Sequence, residues 1–250
     1  MDSTTDEIYR IQYSRGFLMP LLDLITSSSL GSLLGMRHAL EPDHLAAVST
    51  LVTDERSGYK AALLGACWGL GHTFALVVVG AALVLLRAEM PDRIADIFEF
   101  LVALMLVGLG VRAIYQALRQ GGTGPVHVHR HGGVVHAHHT GAAHVHIGTW
   151  TLARRPLIVG AVHGLAGSGA LTALVLTTLP STTSRLVYMG LFGLGSTLGM
   201  AALSGALGWP LARIGANRRV ARAVSLSVGC ASTLLGLFWG YPLVGRVFGF

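Results

Sequence analysis

The chain has 250 residues, of which 52% are hydrophobic and 12% charged, and its mean hydropathy is +0.60. A soluble domain carries roughly 25% charged residues, so this chain lacks the polar surface for one and belongs in a bilayer. Its net charge of +6 rests on arginines at the ends of apolar runs, which reflects membrane orientation and not nucleic-acid binding.

In chain order, the N-terminal MDSTTDEIYRIQYSRG is polar and acidic, a poor match to a signal peptide. Runs of 18 or more apolar residues can cross a hydrocarbon core of about 30 Å. The first is Phe17 to about Val52, which holds Asp23, Arg37, Glu41 and Asp43. Ala61 to Leu86 follows without any charge, and then roughly Ile97 to Leu118, with Glu99 and Arg112. Beyond a polar stretch come three more uncharged runs, Pro156 to Leu179, Leu186 to Leu211 and Ala223 to Val244. The expectation is an all-α polytopic membrane protein with six transmembrane helices. Cys67 and Cys230 lie inside these runs and form no CxxC, so neither a disulfide framework nor a zinc ribbon is indicated.

The chain also resembles itself. GMRHALEPDHLAAV at Gly35 to Val48 aligns with GAVHGLAGSGALTA at Gly160 to Ala173, and WGLGHT at Trp68 to Thr73 aligns with FGLGST at Phe192 to Thr197 at nearly the same offset. Two halves of three spans each must enter the membrane from opposite sides, because three is odd. That is the inverted duplication by which many transporters alternate access to a midplane site. The organisation expected is therefore an N-terminal half over residues 1–118, a loop over 119–155 and a C-terminal half over 156–250.

The loop concentrates eight of the 12 histidines, His127, His129, His131, His136, His138, His139, His144 and His146. Such a tract points to metal capture, and it is where a metallochaperone would dock. The bland alternative is a solvated linker that tolerates histidine. If the spans alternate, one side of the membrane holds Arg56, Lys60, Arg119, Arg130, Arg154, Arg155, Arg213, Arg218, Arg219 and Arg222, against six basic residues on the other. The richer side should be cytoplasmic. This puts the loop in the cytoplasm and both termini outside an inner cell membrane.

RHALEPDHLAA, ending the first span, is the most informative segment. Charges at a helix centre cost on the order of 2.5–3.5 kcal/mol each, so Arg37, Glu41 and Asp43 need partners. Arg37 and Glu41, four apart, could pair on one helical face. Asp43, His38 and His44 remain, and a divalent cation would satisfy all three. Pro42 removes a helical hydrogen bond to the carbonyl of His38 and crowds it, so the first helix should break there. Unwinding would turn His38, Asp43 and His44 toward one point, with the freed His38 carbonyl as a further oxygen.

His72, next to Thr73, is the ionisable residue of the second span, and Gly65 and Gly69 would let that helix approach a neighbour closely. His72 is thus a further ligand candidate; the alternative is a histidine bonded to a backbone carbonyl. In the fourth span His163 aligns with His38 and Ser168 with Asp43, so this half lacks the carboxylate and His163 is either a ligand or a packing residue. The acids end at Glu99: residues 1–99 hold seven basic and 12 acidic side chains, while residues 100–250 hold 11 arginines and no acid. Imidazoles with a few oxygens suit Ni²⁺, Co²⁺ or Zn²⁺, whereas Mg²⁺ and Ca²⁺ prefer oxygen alone. No resident cofactor is expected.

RHALEPDHLAA followed by GLGHT resembles the nickel/cobalt transporter family, whose signature is a histidine, four residues and Asp-His in one span with Leu-Gly-His in the next. With its His-rich loop and HGLAGSGAL, the chain is most similar to the shorter six-span branch of urease-accessory and high-affinity nickel transport proteins. The resemblance implies a permease for Ni²⁺ or Co²⁺, with His38, Asp43 and His44 essential to the metal site and His72 a fourth. Longer members carry acidic motifs in their second half and additional spans, which this chain lacks. A related branch with His-rich loops exports these metals, so efflux stands as an alternative to uptake. Two other classes compete: an intramembrane serine protease using Ser168 with a histidine, and a metal-sensing or metal-donating membrane protein. Pairing into a homodimer is compatible with all of these.

Overall fold

The computed structural model describes residues 29–53, 57–119, 127–131, 134–138, 144–147, 150–214 and 218–249. Residues 17–28 of the first apolar run and His139 lie outside the described residues. Helix α1 covers residues 29–38, and α2 runs Pro42–Val52. Then come α3 (Gly58–Leu86), α4 (Asp92–Arg119), α5 (Arg154–Thr178), α6 (Thr182–Ile214) and α7 (Arg218–Phe248). Five helices among the described residues, α3 to α7, are long and apolar enough to cross a membrane, and the chain is a multi-pass helical membrane protein.

The first segment is built differently. At 1.5 Å per residue the 11 residues of α2 span about 16 Å, half of a hydrocarbon core. Glu41, preceding Pro42, has φ −65° and ψ 150°, the extended conformation that a following proline imposes. Proline then occupies the first turn of α2, where its missing N–H costs nothing. Between the helices the backbone closes a tight turn, Leu40 N–H to Arg37 carbonyl at 2.9 Å and Glu41 N–H to His38 carbonyl at 3.0 Å.

Between α4 and α5 lie two antiparallel strand pairs. β1 (His127–His131) pairs with β2 (Val134–His138), and β3 (His144–Ile147) with β4 (Trp150–Ala153). The all-α expectation therefore holds for the membrane-spanning part, and the linker adds strands to it. The alternation of histidine and valine has the period of a strand.

Close packing depends on small residues. Helix α3 packs on α5 and α6, α4 on α7, and α2 touches α3, α4, α6 and α7. A Cβ on Gly160 would overlap the Trp68 carbonyl and approach the His72 N–H, and a Cβ on Gly35 would overlap the Phe192 carbonyl and approach the Ser196 N–H. The same doubling recurs at Gly69 against Thr197 and Gly193 against Thr73. It recurs again at Gly71 against Leu157 and Gly195 against Ser32. At the centre, Thr73 Oγ1 and Thr197 Oγ1 share a 2.8 Å hydrogen bond, and Thr73 also donates to the Gly193 carbonyl at 2.7 Å. Such close backbone approach is how helices associate where lipid supplies no hydrophobic drive. One apolar cluster, including Ala47, Val48, Val52, Trp68, Leu106 and Met200, surrounds α2, and a second gathers Leu76, Val175, Met189 and Phe192. Phe74, Leu86, Phe238 and Tyr241 face outward, toward lipid.

Candidate metal centre

The turn between α1 and α2 aims three side chains inward. Asp43 sits in the first turn of α2, where the positive end of the helix dipole favours a carboxylate. Its Oδ1 accepts the His44 backbone N–H at 2.9 Å and lies 3.0 Å from His44 Nδ1. Its Oδ2 lies 2.6 Å from His163 Nε2 of α5. Asp43, His44, His72 and His163 are all buried. The carboxylate thus joins the broken first segment to the second half of the chain.

Four imidazoles crowd around it. Ring centroids are 4.4 Å apart for His38 and His44, 5.3 Å for His38 and His72, 5.4 Å for His44 and His72, and 4.0 Å for His44 and His163. Two sets of ligand atoms each fall within 4.8 Å of one another: His38, His44 and His72, and Asp43, His44 and His163. Buried polar atoms normally find partners, because an unpaired one costs about 1–3 kcal/mol. Yet His38 Nε2, His44 Nε2, His163 Nδ1 and both nitrogens of His72 have none among the described residues. Nitrogen donors converging beside a carboxylate, with lone pairs uncommitted, form a donor set for a borderline divalent cation.

Two sequence expectations are corrected. Arg37 does not pair with Glu41: Glu41 Oε1 lies 3.0 Å from His38 Nδ1 instead. The helix ends at residue 38, so positions 37 and 41 do not share a continuous helical face. The His38 carbonyl is not left free either, since it accepts the Glu41 N–H across the turn. Ser168 is buried in α5 and donates to the Leu165 carbonyl at 2.6 Å. Its hydroxyl bonds to its own helix and not to a histidine.

Sequence reading passed over Trp68, fully buried with its ring 5.4 Å from His44 and 5.8 Å from His163. Its position four residues before His72, on the same helical face, was the available signal. Gly167 was also passed over as a wall of the site; a Cβ there would meet His38 Nε2 at 3.9 Å and His72 Cε1 at 4.0 Å.

The high-affinity nickel-transport protein family, NicO, matches residues 24–240. The urease accessory protein UreH of Bacillus sp. (strain TB-90) is 32% identical over 225 residues, covering 90% of this chain and 95% of that protein. No solved structure matches the chain. The chain belongs to the high-affinity nickel-transport family, as a membrane transporter and not an enzyme.

Proposed function

We propose that the chain is a permease that takes up Ni²⁺, and Co²⁺ as a chemically similar second cargo, through the centre formed by His38, Asp43, His44, His72 and His163. The observation that carries this is the convergence of four imidazoles and one carboxylate from four helices, with ring nitrogens that no group among the described residues satisfies. Zn²⁺ suits the same donors and is a competitor. Pro42 shapes the turn, Glu41 holds His38, Thr73 ties α3 to α6, and Arg37 and Ser168 flank the ligands.

In this reading α1 and α2 form a first span broken at Pro42, and the chain is an inverted duplication of three spans. The paired contacts Gly35 with Phe192 and Gly160 with Trp68, and the Thr73 to Thr197 bond, support it. Both termini lie outside and the His-rich loop, residues 119–155, is cytoplasmic, where it receives the ion and offers it to a metallochaperone. Inward movement needs no other energy source, since a divalent ion gains about 4.6 kcal/mol per 100 mV of inside-negative potential, twice the unit-charge value.

The test is Ni²⁺ and Co²⁺ influx into proteoliposomes under a potassium-diffusion potential. Asp43→Asn is expected to abolish influx and His38→Ala to lower it by about 10-fold or more. Full influx in both variants would sink the assignment, and flux that runs outward only with a proton gradient would favour efflux.

A further inference from the structure

The two sets of ligand atoms overlap at His44 and differ in depth. The set His38, His44 and His72 offers three imidazoles and no carboxylate, and it reaches the surface: the His38 side chain is 17% exposed and touches Glu41, which is 53% exposed. The set Asp43, His44 and His163 contains the carboxylate and is buried throughout. His44 has a nitrogen for each, since Nδ1 is at Asp43 and Nε2 has no partner among the described residues. Gly167 of α5 borders the first set. Gly160 and Gly164 press against the backbone of α3, but an added Cβ at Gly167 meets nothing closer than 3.9 Å. Helix packing does not require glycine there, and the room it leaves faces the unpartnered Nε2 of His38.

Building on the transport reading above, we propose that a divalent transition-metal ion occupies two adjacent positions in turn. The outer position lies between His38, His44 and His72, beside the bare backbone of Gly167; the inner one lies between Asp43, His44 and His163. His44 is the ligand common to both and passes the ion on. Glu41 draws the cation to the mouth. The outer donors are neutral and leave the full charge in place, while the inner carboxylate offsets part of it, and in a medium of low dielectric that difference pulls the ion inward. The same repulsion keeps two ions from sharing the pair. A ligand shared between two positions also keeps either from holding the ion too tightly to release it, which conduction requires.

The experiment measures Ni²⁺ binding by equilibrium dialysis on the full chain in detergent, with the eight loop histidines changed to asparagine so that the membrane residues alone report. The electronic spectrum of bound Co²⁺ and Ni²⁺ influx into proteoliposomes accompany it. One Ni²⁺ per chain is expected. His44→Asn removes a donor from both positions and lowers affinity by more than about 100-fold, while His38→Asn and His163→Asn each leave one position and lower it by about 10-fold. The Co²⁺ spectra of the last two variants should differ from each other. Gly167→Ala narrows the outer position with no contact tighter than van der Waals, against His38, His72 and Leu76; it should bind with the spectrum of His38→Asn and lose about 10-fold in influx, the equivalent of ~1.4 kcal/mol. His72→Asn, which also disables only the outer position, should match His38→Asn and serves if His44→Asn does not fold. Equal losses and one spectrum for all the histidine variants would mean a single cage and overturn the proposal, as would full influx in Gly167→Ala. No binding and no influx in the unsubstituted membrane ligands would instead overturn the transport reading.

Discussion

At position 43 the first half of the chain carries an aspartate whose two oxygens meet His44 twice and His163 once. At the aligned position of the second half, Ser168 gives its hydroxyl to a carbonyl of its own helix. His44 aligns with Gly169 and His72 with Ser196, so that only His163 keeps its imidazole in the second half. The glycines and threonines that hold the helices together recur in both halves. In the proposed duplication, packing is repeated and chemistry is not. Such a two-sided scaffold would move symmetrically while one side supplies nearly all the proposed ligands, and a second carboxylate in the same cavity would only add repulsion between like charges.

That contrast can be broken in several ways. The largest effect should come from the carboxylate: Asp43→Asn is expected to lower Ni²⁺ influx by more than about 100-fold, as loss of charge at a buried ion site does, while Ser168→Ala changes it by less than about threefold. Comparable losses in both would erase the asymmetry. Next come the glycines. Gly35→Ala and Gly160→Ala each force a methyl group onto a carbonyl oxygen and should each destabilise the fold by about 1–3 kcal/mol, read as thermal unfolding in detergent. A severe effect in one half and silence in the other would argue against duplicated packing. Thr197→Val breaks the shared hydrogen bond at about 1 kcal/mol, Thr73→Val loses that bond and the one to the Gly193 carbonyl at about 2 kcal/mol, and because they share a bond the double variant should lose less than their sum. The smallest effect is expected from changing the eight loop histidines to asparagine. At saturating Ni²⁺ influx should fall by less than about threefold, with a larger deficit at low Ni²⁺, because a tethered binding tract acts by raising local concentration.

Hydropathy located the long helices well, since an apolar run of bilayer length has few other uses, and Pro42 marked the turn because proline cannot continue the hydrogen-bond ladder. The buried cluster of imidazoles and carboxylate was legible for a related reason. Charged and imidazole side chains inside apolar helices are too costly to be idle, so His38, Asp43, His44 and His72 stood out. What packs on what was much less legible. In lipid the outward and inward faces of a helix are both apolar, so periodicity does not tell Phe74, facing out, from Leu76, fully buried. The pairing of Glu41 with His38 in place of Arg37 was hidden for another reason, because helical spacing stops applying once the helix stops. Gly167 was overlooked because an empty space leaves no trace in a sequence of many glycines.

The hydrogen bond between Thr73 and Thr197 joins two residues that align with each other when the sequence is compared with itself, the same place in the two repeats of the proposed duplication. A residue touches its own copy only on a two-fold axis. If the halves descend from one shorter gene, whose product paired with an inverted copy of itself about a two-fold axis in the membrane plane, that ancestor would have made this bond between two copies of a single threonine, and one mutation would have struck both ends. Fusion would have freed the ends to mutate separately. The same release would have let one half keep its aspartate while the other traded it for serine, so that the proposed metal centre arose without disturbing the seam on which the two halves meet.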